Sequence, residues 1–230
     1  MDKLLEKLLG WSEVWALLIP LTIFFLRRKH ISNLLKPVVI YLWIALALNS
    51  IADFSWQFQR TLNLPQWARN NLPVYVVHSI ARLLLFSWFF NRLKQPFLVN
   101  IKKLVPVLFL IFVVIYFSFI KSFKSLYGEF NSPLHATEAA LLLFYCLQYY
   151  WFLLKQEETH FSRTRSVDWI VAGLTIYVAV NFFIFLFYDA LMKTSERSWN
   201  FAYHIWDVHN ISYIVLCCFI AKAFYDSDTS

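Results

Sequence analysis

Seven apolar stretches, each about 20 residues long, fill most of this chain, and about 20 apolar residues is what an α-helix needs to cross a bilayer. Backbone polar groups within a bilayer must be satisfied inside the segment, so such stretches read as transmembrane helices. The linking segments are short, and no separate soluble domain fits among them. Hydrophobic residues make up 60% of the 230 and charged residues only 15%, whereas about a quarter of a soluble domain is charged. The expected fold is an all-α membrane protein: a seven-transmembrane helix bundle forming one domain over residues 1–230.

The spans are expected at 11–27, 37–57, 72–92, 104–120, 133–154, 168–189 and 201–223. RRKHISNLLKP, RTLNLPQWARNNLP and NRLKQPFLVNIKK separate the first four. Pro37, Pro73 and Pro133 fall where a first-turn proline is tolerated, with Ser132 as a cap for the fifth span. Pro20 lies inside the first span, where a membrane helix accommodates it by kinking. No removable signal is expected, since the basic stretch and small-residue cleavage site are missing. MDKLLEKLLG instead reads as a short amphipathic helix at the interface.

Net charge is +7, which taken alone suggests a polyanionic partner. The basic residues flank the spans, however, so the charge is read as membrane orientation and no nucleic-acid partner is expected. Twelve Lys and Arg fall on the side of the even-numbered span starts and eight on the other. This bias places the N-terminus outside and the C-terminus in the cytoplasm. Trp11, Trp56, Trp67 and Trp199 then mark the outer interface, and Trp88, Trp151 and Trp169 the inner one. Cys146, Cys217 and Cys218 all lie in spans and read as small buried hydrophobes. Of three glycines only Gly173 is within a span, which favours a rigid bundle over one that rocks between states.

Charged groups in hydrocarbon cost several kcal/mol unless paired or hydrated, so their positions carry the functional reading. Span two carries Asn49, Asp53, Gln57 and Arg60 in a stripe, and span three carries His78 and Arg82 four apart on one face. Arg82 is about 15 Å inside, too deep to snorkel easily, and is expected either to pair with a carboxylate, with Asp53, Glu138 and Asp207 the candidates, or to line a wet cavity. Asn181 on span six and Asn210 on span seven complete an expected outward-facing ligand pocket of Asp53, His78, Arg82, Glu138, Asn181, Asp207 and Asn210. Glu13 and His204 read as shallow and interfacial. His209 lies about 200° round the helix from Asp207 and so points elsewhere.

If a metal binds, His78, His135, His204 and His209 are the candidate ligands, and zinc is the metal. Seven-helix zinc hydrolases of lipid amides carry His-x3-His on their last span. The spacing here is His204-x4-His209, which does not put both rings on one face. Glycine-rich phosphate loops, CxxC, GxSxG and HExxH are all absent from the sequence. No cofactor is expected.

Two segments carry a resemblance: Asn70-Asn71-Leu72-Pro73-Val74-Tyr75 followed by His78 and Arg82, and Ile205-Trp206-Asp207-Val208-His209-Asn210-Ile211 followed by Tyr213. Over about a quarter of the chain these are similar to short seven-helix integral membrane proteins of bacteria, some encoded near sensor kinases. That group often has an acidic residue where Arg82 stands. The resemblance implies a similar bundle in a bacterial inner membrane and leaves the activity open. The expected function is a non-enzymatic receptor-like protein or accessory subunit that signals to a membrane-protein partner or a second copy. The rivals are a metal-dependent lipid hydrolase within the membrane and a small-solute transporter.

Overall fold

The structure is a computed structural model that describes residues 8–58, 70–93, 98–121, 130–155, 165–192 and 197–229. These residues form helices and no strands: α1 (Ser12–Arg27), α2 (Lys36–Phe58), α3 (Leu72–Arg92), α4 (Val99–Ile115), α5 (Ser132–Lys155), α6 (Arg165–Met192) and α7 (Arg197–Tyr225). Short 3-10 turns at Asn33–Leu35 and Asp226–Thr229 flank α2 and α7, and a π-helical turn, Tyr116–Ile120, extends α4. Residues 1–7 of the expected interfacial segment lie outside the described residues, as do Arg60 and Trp67, whereas residues 8–10 are helical.

Helix starts follow the prolines. Pro37, Pro73 and Pro133 each sit in a first turn, where the missing N–H has no intrahelical acceptor to lose. The expected cap at Ser132 moves by one residue. The Asn131 carbonyl accepts from the amides of Leu134 and His135, while the Ser132 hydroxyl donates to Asp189 Oδ1 at 2.7 Å. Ser132 therefore ties the start of α5 to the end of α6. Helix α4 begins at Val99 rather than 104 and takes in Lys102, which is buried.

Six segments are long and apolar enough to cross a bilayer: Asn33–Ser55, Leu72–Arg92, Val99–Ile120, Ser132–Lys155, Arg165–Asp189 and His204–Tyr225. That is the make-up of an integral membrane protein. Helix α1 is not among them. Its 16 residues rise only about 24 Å, short of a hydrocarbon core of about 30 Å. It is nevertheless a core element, with Ala16, Leu17 and Leu21 buried.

The helices close into a ring. Helix α1 packs mainly on α7 and also on α2; α2 packs on α3, α3 on α5, α5 on α6, and α6 on α7. Helix α4 stays outside this ring, held chiefly by α3, with a hydrogen bond at 2.6 Å from the Tyr145 hydroxyl of α5 to the Lys102 carbonyl. Its outward face is apolar, from Ile101 and Leu104 through Leu108 and Ile111 to Phe119. In a bilayer that face meets lipid. The core is rich in aromatic rings, with Phe90 stacked on Tyr145 at 5.1 Å and Tyr41 against Phe86 at 5.0 Å.

Where α7 ends, Lys222 Nζ donates to Asp226 Oδ1 at 2.8 Å, and Trp169 Nε1 donates to the other oxygen at 2.9 Å. The hydrogen bond from Lys222 holds the Asp226 carboxyl below its ordinary value. Lys222 is exposed, and Asp226 joins the end of α7 to the second turn of α6.

Candidate functional site

Every helix of the ring contributes a polar side chain to one buried centre, and α4 contributes none. On α3, Ser79, Arg82, Leu83, Phe86 and Phe90 form a buried stripe at helical spacing, so Arg82 faces the bundle axis. Arg82 Nε donates to Glu138 Oε1 at 2.5 Å and Nη2 donates to Oε2 at 2.8 Å, a two-pronged contact. Ser79 Oγ donates to Glu138 Oε2 at 2.5 Å, and Arg82 Nη1 donates to the Tyr177 hydroxyl at 2.5 Å. The guanidinium carbon also lies 5.0 Å from the Tyr177 ring centre. Both ions are buried, and each has partners for most of its hydrogen-bonding capacity.

A second cluster adjoins the first. His209 Nε2 meets Glu13 Oε1 at 2.9 Å, while its Nδ1 meets Asn181 Oδ1. Asn181 Nδ2 donates to the Tyr177 carbonyl at 2.7 Å and to Ser212 Oγ at 3.0 Å. Glu13 Oε2 accepts from the Tyr75 hydroxyl at 3.3 Å, and the Glu13 carbonyl accepts from Asn49 at 2.9 Å. The Trp206 ring stacks on His209 at 5.0 Å. Tyr177 links the clusters: its hydroxyl touches Arg82, and its ring lies 5.9 Å from His209.

Between the clusters is a small cavity with about 20 Å³ of room for water centres, walled by His78, His135, Arg82, Glu13 and Trp206 among others. A space of this size holds about one water-sized group. His78 stacks on Tyr41 at 5.9 Å, and its Nε2 is buried with no hydrogen-bond partner. His135 is stacked on Phe130 at 4.8 Å and lies 5.3 Å from Phe185. Buried polar atoms are normally satisfied, and among the residues lining the cavity His78 Nε2 is the one such atom with capacity left for a ligand.

The expected site residues divide into two groups. His78, Arg82, Glu138 and Asn181 come together, and Glu138 is the carboxylate that pairs with Arg82. Asp53 and Asp207 do not reach it. Asp53 is part-buried, and its Oδ2 has no partner. Asp207 faces His204 at 3.7 Å near the start of α7, where the His204 side chain is 73% exposed. Asn210 is buried, but its amide donates to the Leu9 carbonyl at 3.1 Å and ties α7 to the chain before α1. Of the four candidate metal ligands, His78, His135 and His209 line the cavity and His204 does not. Among the described residues no three His, Cys, Asp or Glu side chains form a metal-holding group.

Two residues are corrected. Glu13 is buried at the centre, not interfacial, and His209 points into it rather than away. Both were findable from helical phase. Glu13 shares a face with Ala16, Leu17, Pro20 and Leu21, the buried stripe of α1. His209 shares one with Tyr213, Leu216, Cys217 and Ile220, and Asp207 lies off that stripe. Ser79 has no signal beyond lying three residues before Arg82.

Comparison with known proteins adds no constraint: no family model, curated protein or solved structure matches the chain.

Proposed function

We propose that this chain is a receptor-like or accessory membrane protein whose seven helices all cross the bilayer, N-terminus outside. Its polar centre takes a small polar ligand from the outer side. The Lys and Arg distribution supports the orientation, with the bacterial inner membrane as the setting. Helix α1 is short for a span, but helical residues 8–10 precede it and its buried face packs along α7. The cavity as it stands admits about one water-sized group, so a larger ligand widens it and changes the packing of the ring, and a membrane-protein partner or a second copy reads that change.

The observation that carries this reading is His78, on the wall of a cavity lined by five helices, with its Nε2 buried and without a partner. A purely structural centre would satisfy that nitrogen internally. The test is a thermal-shift screen of purified protein in mild detergent against small alcohols, amides, amines and carboxylates. A solute at 100 times its Kd should stabilise the wild type by about 2.7 kcal/mol. The His78→Leu variant should melt near the wild type and lose that shift. An unchanged shift in His78→Leu, or a wild type indifferent to every solute, contradicts the proposal.

A further inference from the structure

The hydrogen bonds around His209 allow its protons to be counted. Asn181 Nδ2 faces the Tyr177 carbonyl, which can only accept, so the amide cannot be turned over without setting oxygen against oxygen. Asn181 Oδ1 therefore faces His209 Nδ1, and because that oxygen also only accepts, Nδ1 carries a hydrogen. Ser212 fits the same polarity: its hydroxyl donates to the His209 carbonyl and accepts from Asn181. With Nδ1 protonated, a neutral His209 has its lone pair on Nε2. That lone pair would meet a carboxylate lone pair of Glu13 at 2.9 Å, with no hydrogen between them. One more proton must lie on this contact. It makes either an imidazolium beside a carboxylate or an imidazole beside a carboxylic acid, and both pairs have zero net charge.

Each element around the pair presents its own groups. From α3, Tyr75 donates to the far oxygen of Glu13, and from α2, Asn49 binds its carbonyl. Asp53, also on α2, acts on Glu13 electrostatically but is not in the cavity wall. The Arg82 and Glu138 charges cancel within their own contact. His78 and His135 are buried in the wall of the same cavity as Arg82, with no carboxylate partner among the described residues, and a neutral imidazole needs none.

We infer that Glu13 and His209 hold one proton between them, that the polar centre is thereby electrically neutral, and that its ligand is a small uncharged hydrogen-bonding solute. The ligand class rests on the pocket proposed above, whereas the proton count stands without it. An ion of either sign would enter a buried centre whose charges already cancel and would lose its hydration without a counter-charge. An amide or alcohol can instead use His78 Nε2 at little electrostatic cost.

Two measurements test this. Nitrogen-15 NMR of histidine-labelled protein in lipid at neutral pH, with His209 assigned through its contact with Asn181, reads both ring nitrogens. Infrared difference spectra between wild type and Glu13→Gln read the Glu13 carboxyl. The expected result is Nδ1 protonated, with either Nε2 also protonated or Glu13 present as the acid. A His209 protonated only at Nδ1 beside an ionised Glu13 overturns the inference, as does a cationic His209 beside a neutral acid. If Glu13→Gln fails to fold, the wild-type NMR alone decides whether His209 is cationic. If it is neutral, the carboxyl band of wild type with carbon-13-labelled glutamate completes the count. For the ligand, acetamide should raise the melting temperature more than acetate or methylammonium at equal concentration. The reverse order overturns the ligand class. No shift from any of the three overturns it together with the pocket, and leaves the proton count to the spectra.

Discussion

Replacing Arg82 with leucine lowers the stability of the bundle by about 3–5 kcal/mol, and replacing Glu138 with leucine in the same chain recovers most of that loss. The single change leaves the Glu138 carboxylate with Ser79 alone among its present partners, buried and without a counter-charge. Most of the penalty lies in that stranded charge rather than in the lost attraction. Removing both partners takes the stranded charge away, and buried ion pairs often prove replaceable by apolar residues of similar volume. The measurement is equilibrium unfolding in mixed micelles for the wild type, both single variants and the double. Additive losses would mean that the two side chains do not act as a pair. Tyr177 is the sensitive bystander, because Arg82 Nη1 is the donor to its hydroxyl.

Gly173→Ala is the other large expected effect, at about 1–3 kcal/mol of destabilisation from overpacking. A Cβ built on Gly173 meets the Phe219 Cβ at 2.5 Å, a distance that forces movement. The clash is with the atom nearest the α7 backbone and not with a ring that could rotate away. Helices α6 and α7 must therefore separate, and they form the most extensive contact in the bundle. This gives a sharp double-variant test. Phe219→Ala should fail to rescue Gly173→Ala because alanine keeps the offending Cβ, whereas Phe219→Gly should restore the close approach. Thermal melting of the four proteins in detergent decides, and rescue by Phe219→Ala would show that the ring rather than the Cβ was limiting. Asn181, eight residues along α6 from Gly173, holds His209 of α7, so the separation should also disturb the polar centre.

The positions of the helices were legible because hydropathy accumulates over about 20 residues and tolerates local errors. The largest boundary shift, at the start of α4, has a clear cause. Lys102 and Lys103 read as loop, yet the structure buries Lys102 beneath the Tyr145 hydroxyl that binds its carbonyl. Arg82 was legible too, since no residue so deep and so basic can be left unpaired. Its partner was not, because choosing among Asp53, Glu138 and Asp207 requires the neighbour relations of the ring, and α3 packs on α5. Glu13 was misplaced through reliance on depth: an acidic residue near a helix end looks interfacial until the apolar face of that helix is traced. For His209, phase correctly separated it from Asp207. The sequence reading then kept the wrong member, because the aspartate is the more obvious partner for an arginine. Ring closure itself has no direct counterpart in the linear pattern, although α4, which is left outside, has a mean hydropathy of 2.5 against 1.5 and 1.2 for α3 and α5.

The account turns on whether the polar centre can be reached from the outer side. The most direct measurement is thiol accessibility of Phe185→Cys, in the cavity wall and away from the ligand-binding nitrogen of His78, in a chain with Cys146, Cys217 and Cys218 replaced by alanine. Silver ion, small enough for the cavity and exchanging for the thiol proton so that no net charge is added, is applied in turn to each face of oriented membranes. Rapid reaction from the outer face, slowed by a saturating small solute, is the predicted result. Reaction only from the inner face, or only after the bundle is unfolded, would contradict the account.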